Sequence, residues 1–139
     1  MRLVLDTNIL VSALLAGTSL PAHLVVLWRE GWCDLLTSAE QIDELMRVTR
    51  YPKIRARLAP ALAGRLINEM RDLAVELKGL PTVTACADPY DNYLLAMTVA
   101  GKADFLITGD KFDLLSMQHY EGTRIVTVRD FLTMHRRLP

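Results

Sequence analysis

Four acidic residues stand where an α/β protein does chemistry. Asp6 closes a short apolar run, Leu3-Val4-Leu5, and Asn8 opens a second apolar stretch over residues 9–16. A strand that delivers a carboxylate at its C-terminal end, followed at once by a helix, has the geometry of a ligand site in an open parallel sheet. Asp also favours turns and caps, so Asp6 alone leaves both roles open. Asp110 repeats the arrangement: it follows Phe105-Leu106-Ile107, with Gly109 permitting a tight turn. Glu44 and Asp91 fall on helices that follow strand or loop segments and could point at the same edge. Four carboxylates gathered without cations repel, so one or more must take up a proton or a cation must bind. Hard oxygen donors of this kind suit magnesium or manganese. Such a cluster suits phosphodiester hydrolysis. The chain offers no serine or cysteine nucleophile motif, and His23, His119 and His135 are scattered.

The elements that must position these acids are legible in outline. Residues 18–31 read as a helix, with Pro21 tolerated in its first turn and Gly31 as its stop. Residues 33–37 read as a strand. Thr37 and Ser38 form overlapping capping boxes with Glu40 and Gln41. A helix follows to about residue 49, burying Ile42, Leu45 and Met46, with Glu44 off that stripe. Pro52 breaks the pattern. Residues 61–77 read as one amphipathic helix, with Leu62, Leu66, Met70, Leu73 and Leu77 as its stripe and Arg65–Glu69 as a surface pair. Asp88 suits an N-cap with Pro89 at the first helical position. That leaves Asp91, in the first turn, freer for chemistry. Leu94, Leu95 and Val99 supply the buried face of this helix, and Gly101 ends it. Residues 103–108 and 124–128 read as strands. Thr127 and Asp130 cap a final helix ending near Arg136 and Arg137. Strands alternating with helices imply an α/β/α sandwich around a mainly parallel sheet.

The 139 residues suffice for one domain with a real core, residues 1–139, and nothing resembles a linker or a repeat. Sixteen cations balance sixteen acids, which excludes an overall electrostatic attraction to nucleic acid but not a local basic patch. Such a patch exists: Arg47, Arg50, Lys53, Arg55 and Arg57 lie within eleven residues, with Tyr51 among them and no acid. It reads either as an exposed helix end or as a set of phosphate contacts for RNA. Cys33 and Cys86 make neither a metal pattern nor a disulfide framework and read as buried thiols of a cytoplasmic protein. Met1-Arg2 and the apolar residues after it resemble a signal peptide only superficially, because Asp6 and Asn8 interrupt the run. No run is long and uncharged enough to span a membrane.

Leu3-Val4-Leu5-Asp6-Thr7-Asn8, Glu44 in the helix after Ser38, Asp88-Pro89-Tyr90-Asp91-Asn92 and Thr108-Gly109-Asp110-Lys111 together resemble the PIN-domain family. The likeness is closest to its toxin branch, related to VapC-type toxins, and spans essentially the whole chain. Each motif alone is weak; the four in order are specific. The resemblance implies a Mg²⁺- or Mn²⁺-dependent endoribonuclease, with Asp6, Glu44, Asp91 and Asp110 as the acidic quartet. It implies a metal held by Asp6, Asp91 and Asp110, with Glu44 on a second ion or on a water, and a product with a 5′-phosphate and a 3′-hydroxyl. Asn8 and Thr108 match the polar residues that orient the first and last acids. Asp88 and Asp113 match accessory acids; Phe112, between Lys111 and Asp113, departs from the pattern and weakens the match at Asp113. The resemblance also implies a cognate antitoxin and a homodimer, for which Trp28 and Trp32 offer apolar surface.

Two other readings fit less of the chain. A phosphate-accepting receiver domain needs clustered acids after the first strand and a lysine at a late strand end. Asp6 has no acidic neighbour, and Lys111 lies beyond the Gly109-Asp110 turn. A PIN-fold module that binds RNA or protein without catalysis would not need the full acidic set, which is present.

Overall fold

A computed structural model describes residues 1–109 and 111–139; the expectation placed on Asp110 lies outside the described residues. The chain alternates strand and helix through most of its length. Strand β1 (Arg2–Leu5) leads into α1 (Thr7–Leu15) and α2 (Leu20–Arg29). Strand β2 (Asp34–Ser38) is followed by α3 (Ala39–Thr49), the single turn α4 (Pro52–Arg55), α5 (Pro60–Leu73) and β3 (Val75–Leu77). A 3-10 turn (Pro89–Asp91) opens α6 (Asn92–Gly101), then come β4 (Phe105–Thr108) and α7 (Phe112–Leu115). A short β5 (His119–Tyr120), β6 (Thr123–Thr127) and α8 (Val128–Met134) complete it.

The strands form one sheet in the order β3-β2-β1-β4-β6-β5, parallel except for the β5–β6 pair. Strand side chains alternate between two apolar layers, as the period of two requires. Leu3, Leu5, Leu35 and Ile107 face one layer, with α1, α2, α5 and α8 supplying Leu10, Leu24, Leu66 and Phe131. Val4, Leu36, Leu106 and Ile125 face the other, against Leu94, Leu95 and Met97 of α6. The expected α/β/α sandwich is therefore the observed one. Central strands buried on both faces read as continuous apolar runs, which is why β1 and β4 were visible in the sequence.

Of the caps expected, Ser38 and Thr127 form while Thr37 bonds Gln41 instead, and Ser19 adds one for α2. Ser19, Ser38 and Thr127 each accept a hydrogen bond from the backbone N–H three residues on. Gly31, at φ 85°, supplies the left-handed turn after α2. The sequence misleads in several places. The helix expected over residues 61–77 stops at Leu73, and Val75–Leu77 pairs with β2 as an edge strand. Its buried face is Ala63, Leu66, Ile67 and Met70, so Leu62 and Leu73 point to solvent. Glu69 pairs with Arg29 of α2 at 2.6 Å rather than with Arg65. Helix α6 is buried continuously from Leu94 to Thr98 while Val99 is exposed. A helix in the middle of a layer needs no amphipathic stripe. Gly101 is the last residue of α6, and Lys102, at φ 49°, makes the left-handed cap instead. Gly101 serves packing: a Cβ there would stand 2.5 Å from Leu36 Cδ1. Gly109 does not use the left-handed region either.

Both cysteines are buried, and burial pushes the Cys33 thiol up to about 11 and raises Cys86 as well. Thiols so protonated are poor nucleophiles and poor metal ligands. Among the described residues no single helix is long and apolar enough to cross a membrane.

Candidate active site

Asp6 lies one residue past β1, at the C-terminal edge of the sheet. Its N–H continues the ladder by donating to the Ile107 carbonyl of β4 at 2.9 Å. That bond fixes the backbone; three further donors fix the carboxylate, which is buried. Oδ1 accepts from the Asn8 N–H at 3.1 Å, as the N-cap of α1. Oδ2 accepts from Thr108 Oγ1 at 2.9 Å and lies 3.4 Å from Lys111 Nζ. Thr108 therefore orients the first acid, because β1 and β4 are neighbours in the sheet. Asn8 contributes its backbone N–H, and its side chain is exposed.

Asp91 is brought to the same place from the other layer. Asp88 caps the 3-10 turn by accepting from the Tyr90 N–H at 3.0 Å, and Asp91 closes that turn. The cap role assigned to Asp88 is observed. Asp91 is buried, and its Oδ1 accepts from Lys111 Nζ at 2.7 Å. One ammonium thus stands between two buried carboxylates. Burial raises the Asp91 carboxyl above its ordinary value, the Lys111 contact opposes that, and Asp6 and Asp88 add to the rise. Burial would lower the Lys111 ammonium, but its contacts with Asp91 and Asp6 outweigh this and raise it. Lys111 reaches Asp6 although it lies beyond the turn, because its stem is four carbons long.

Glu44 arrives on α3, and α3 is pinned to β1 by a residue that sequence reasoning treated only as part of a cap. Gln41 is fully buried; its Nε2 donates to the Leu5 carbonyl at 2.6 Å, and its Oε1 accepts from Thr37 Oγ1 at 3.0 Å. The helix start is thereby locked one residue from Asp6, and Glu44 follows three residues later. Glu44 is partly buried beside Tyr93, whose hydroxyl shares a hydrogen bond with Thr7 Oγ1 at 2.9 Å. Burial first, and Glu44 second, hold the Tyr93 hydroxyl far above its usual range, so it stays protonated as a donor. Tyr93, Thr7, Gln41 and Lys111 were not among the expected site residues. Thr7 and Lys111, each inside a quoted motif, carried a signal; Tyr93 did not, and Gln41 was read only as part of a cap.

These side chains open onto a cleft of about 540 Å³, lined by Glu44, Asp91, Tyr93, Lys111, Asp88 and Arg47 among others. Glu40 and the exposed aromatics Tyr51 and Tyr90 complete its wall. Asp113 is exposed in the first turn of α7 and does not line the cleft. Of the basic segment, Arg47 reaches the cleft; Arg50 and Arg55 line a separate cavity; Lys53 and Arg57 are exposed and line none of these.

The donor set fits a hard divalent cation. Two carboxylates already share a cationic group, and the Lys111 ammonium is a stand-in for positive charge at that position. Among the described residues no three Asp, Glu, His or Cys side chains gather closely enough to hold one metal ion.

The comparisons with known proteins fit this arrangement. A family model described as PIN domain matches residues 2–112, a span that contains Asp6, Glu44, Asp91 and Asp110. One solved structure, the crystal structure of VapBC2 from Rickettsia felis bound to a DNA fragment from their promoter, contains a chain with the same fold. It is 14% identical to this chain, with a TM-score of 0.56, over 91% of this chain and 98% of that one. No curated protein matches the chain.

Proposed function

This chain belongs to the PIN-domain family, and on that premise we propose that it is a metal-dependent endoribonuclease, the toxin of a toxin–antitoxin pair. The observation that carries the reading is the pair of buried carboxylates, Asp6 and Asp91, sharing one cation at the C-terminal edge of the sheet. Asp6 and Asp91 would hold a Mg²⁺ or Mn²⁺ ion, with Asp110 and Glu44 completing the acidic quartet. Such an ion supplies Lewis acidity: it offsets phosphate charge and makes water a nucleophile at neutral pH.

The chain's own residues supply the rest. Thr108 and the Asn8 N–H hold the Asp6 carboxylate in one rotamer. The Lys111 ammonium can leave Asp91 and follow the charge of a phosphate, since its stem is flexible and partly exposed. Tyr93 stays protonated and presents a donor beside Glu44, so Glu44 keeps a fixed orientation as acceptor for a water. Arg47 on the cleft wall offers a contact to the RNA backbone. The VapBC2 neighbour is a complex, which supports a protein antitoxin as partner here. We place the homodimer and a cytoplasmic location in the same proposal. Trp28 is buried in the core, so Trp32, half exposed, is the tryptophan left for such an interface.

One observation favours a second reading, a binding module without catalysis: Lys111 already offsets part of the charge of the acid pair. Calorimetry with Mn²⁺, together with cleavage of an unstructured RNA, separates the two. Wild type should bind the ion and cut; Asp6→Asn should lose both. Equal Mn²⁺ affinity in the two proteins, with no cleavage by either, would leave the binding module.

A further inference from the structure

A second cavity lies behind the carboxylate cleft, between α3, α4 and α5. Its volume is about 310 Å³, and Arg50, Arg55 and Arg71 converge on it above a floor that includes Met46 and Ile67. Arg71 comes from α5, outside the basic segment, so only folding adds it to the group. No Asp or Glu lines this cavity. Among the described residues none of the three arginines forms an ion pair with a carboxylate. Three guanidinium groups around one concavity repel each other, and an anion there would relieve that repulsion. Their planar forks suit phosphate oxygens better than a lysine's point charge does.

The cavity is not isolated from the proposed active site. Met46 and Arg50 also line a shallower hollow with Arg47, Tyr51 and Asp43. Arg47 and Tyr51 in turn line the carboxylate cleft. A path therefore runs from Asp91 past Arg47 and Tyr51 to Arg50, Arg55 and Arg71. Tyr51 is about half exposed where the hollows meet, as a base-stacking platform needs to be. A single cation patch would serve any polyanion; cations and an exposed ring along one continuous path suit an unpaired strand.

We propose that the Arg50–Arg55–Arg71 cavity is a phosphate subsite for the RNA strand leaving the carboxylate cleft, reached over Tyr51. This rests on the endoribonuclease reading and names where that substrate is held away from the scissile bond. The test compares Asp6→Asn with Asp6→Asn carrying Arg71→Gln, by fluorescence anisotropy on a labelled oligouridylate in a salt titration. Each phosphate contact contributes about 0.7 to the slope of log affinity against log salt for single strands. Arg71→Gln should flatten the slope by about that amount, and a fourfold change in salt should then alter affinity roughly two- to threefold less. Arg71→Lys should keep most of the slope, and the dinucleotide UpU, too short to span both cavities, should bind both proteins alike. Arg71 is exposed, so the variants should fold; matching thermal melts check this. An unchanged slope with RNA binding intact overturns the subsite alone, and leaves the three arginines to an acidic protein partner. Failure of the Asp6→Asn protein to bind RNA at all overturns both readings.

Discussion

Replacing Lys111 by Gln removes the one cation that the two buried acids share. Breaking a buried ion pair by deleting one partner costs about 3–5 kcal/mol, because the remaining charge is left uncompensated. Here the Lys111 side chain keeps 28% of its exposure while Asp6 and Asp91 keep 1% and 5%. Water therefore screens part of the interaction, and roughly 2–4 kcal/mol of destabilisation is expected in metal-free protein.

The pH dependence gives this a signature. Asp91 is raised in the folded protein, chiefly by burial. An acid with a raised folded pKa favours folding below its unfolded value, and that contribution is lost as pH rises through the folded value. Lys111 is also raised. Its contribution is complete below its unfolded value and lost only in strong alkali, as pH rises through the folded one, so it is fully present at neutrality. In Lys111→Gln the acids face each other without it, and Asp91 should rise further. The stability gap between wild type and variant should then be larger at neutral pH than in acid, where Asp91 takes up its proton. Urea denaturation followed by circular dichroism in EDTA measures it. Added Mn²⁺ should stabilise the variant more than the wild type, since a divalent ion replaces the lost charge without having to displace an ammonium. A gap that stays below about 0.5 kcal/mol, the usual range for a surface change, or that is flat from neutral pH into acid, would mean that Lys111 is a solvated lysine and no counter-ion.

Other substitutions probe the surrounding shell. Asp91→Asn should abolish RNA cleavage with little loss of stability, because burial disfavours the charge it removes; Asp88→Ala should lower stability by about 1 kcal/mol through loss of the cap. Cleavage assays with thermal melts compare them, and an inactive Asp88→Asn beside an active Asp91→Asn would reverse the roles. Tyr93→Phe leaves Thr7 without its partner and takes the donor from beside Glu44. It should lower kcat with KM nearly unchanged, and a change confined to KM would place Tyr93 in RNA binding instead. Gly101→Ala drives a methyl into Leu36 and Leu77 and should cost about 1–3 kcal/mol; a melt as stable as wild type would mean that the contact yields freely.

Much of this protein follows from local rules that one stretch of chain can obey alone. Central strands are apolar because both faces are covered. Ser38, Asp88 and Thr127 mark helix starts because their side chains satisfy N–H groups two or three residues away. Asp6 could be placed at a strand's end for the same reason, and Asp88 could be told from Asp91 by cap geometry. Where two local patterns competed, the fold chose. Leu73 and Leu77 continue a helical stripe, but β2 offers Val75–Leu77 a ladder of hydrogen bonds that a helix end cannot match. The site depends on contacts no window contains. Thr108 meets Asp6 across 102 residues, Tyr93 meets Thr7 across 86, and Lys111 reaches back 20 to Asp91. Arg71 joins Arg50 and Arg55 only because α5 packs on α3. Residue types announce that a carboxylate needs a cation. Which cation it meets is decided by distance in the folded chain, because charge and hydrogen bonding act over a few ångströms of space, whatever the separation in sequence.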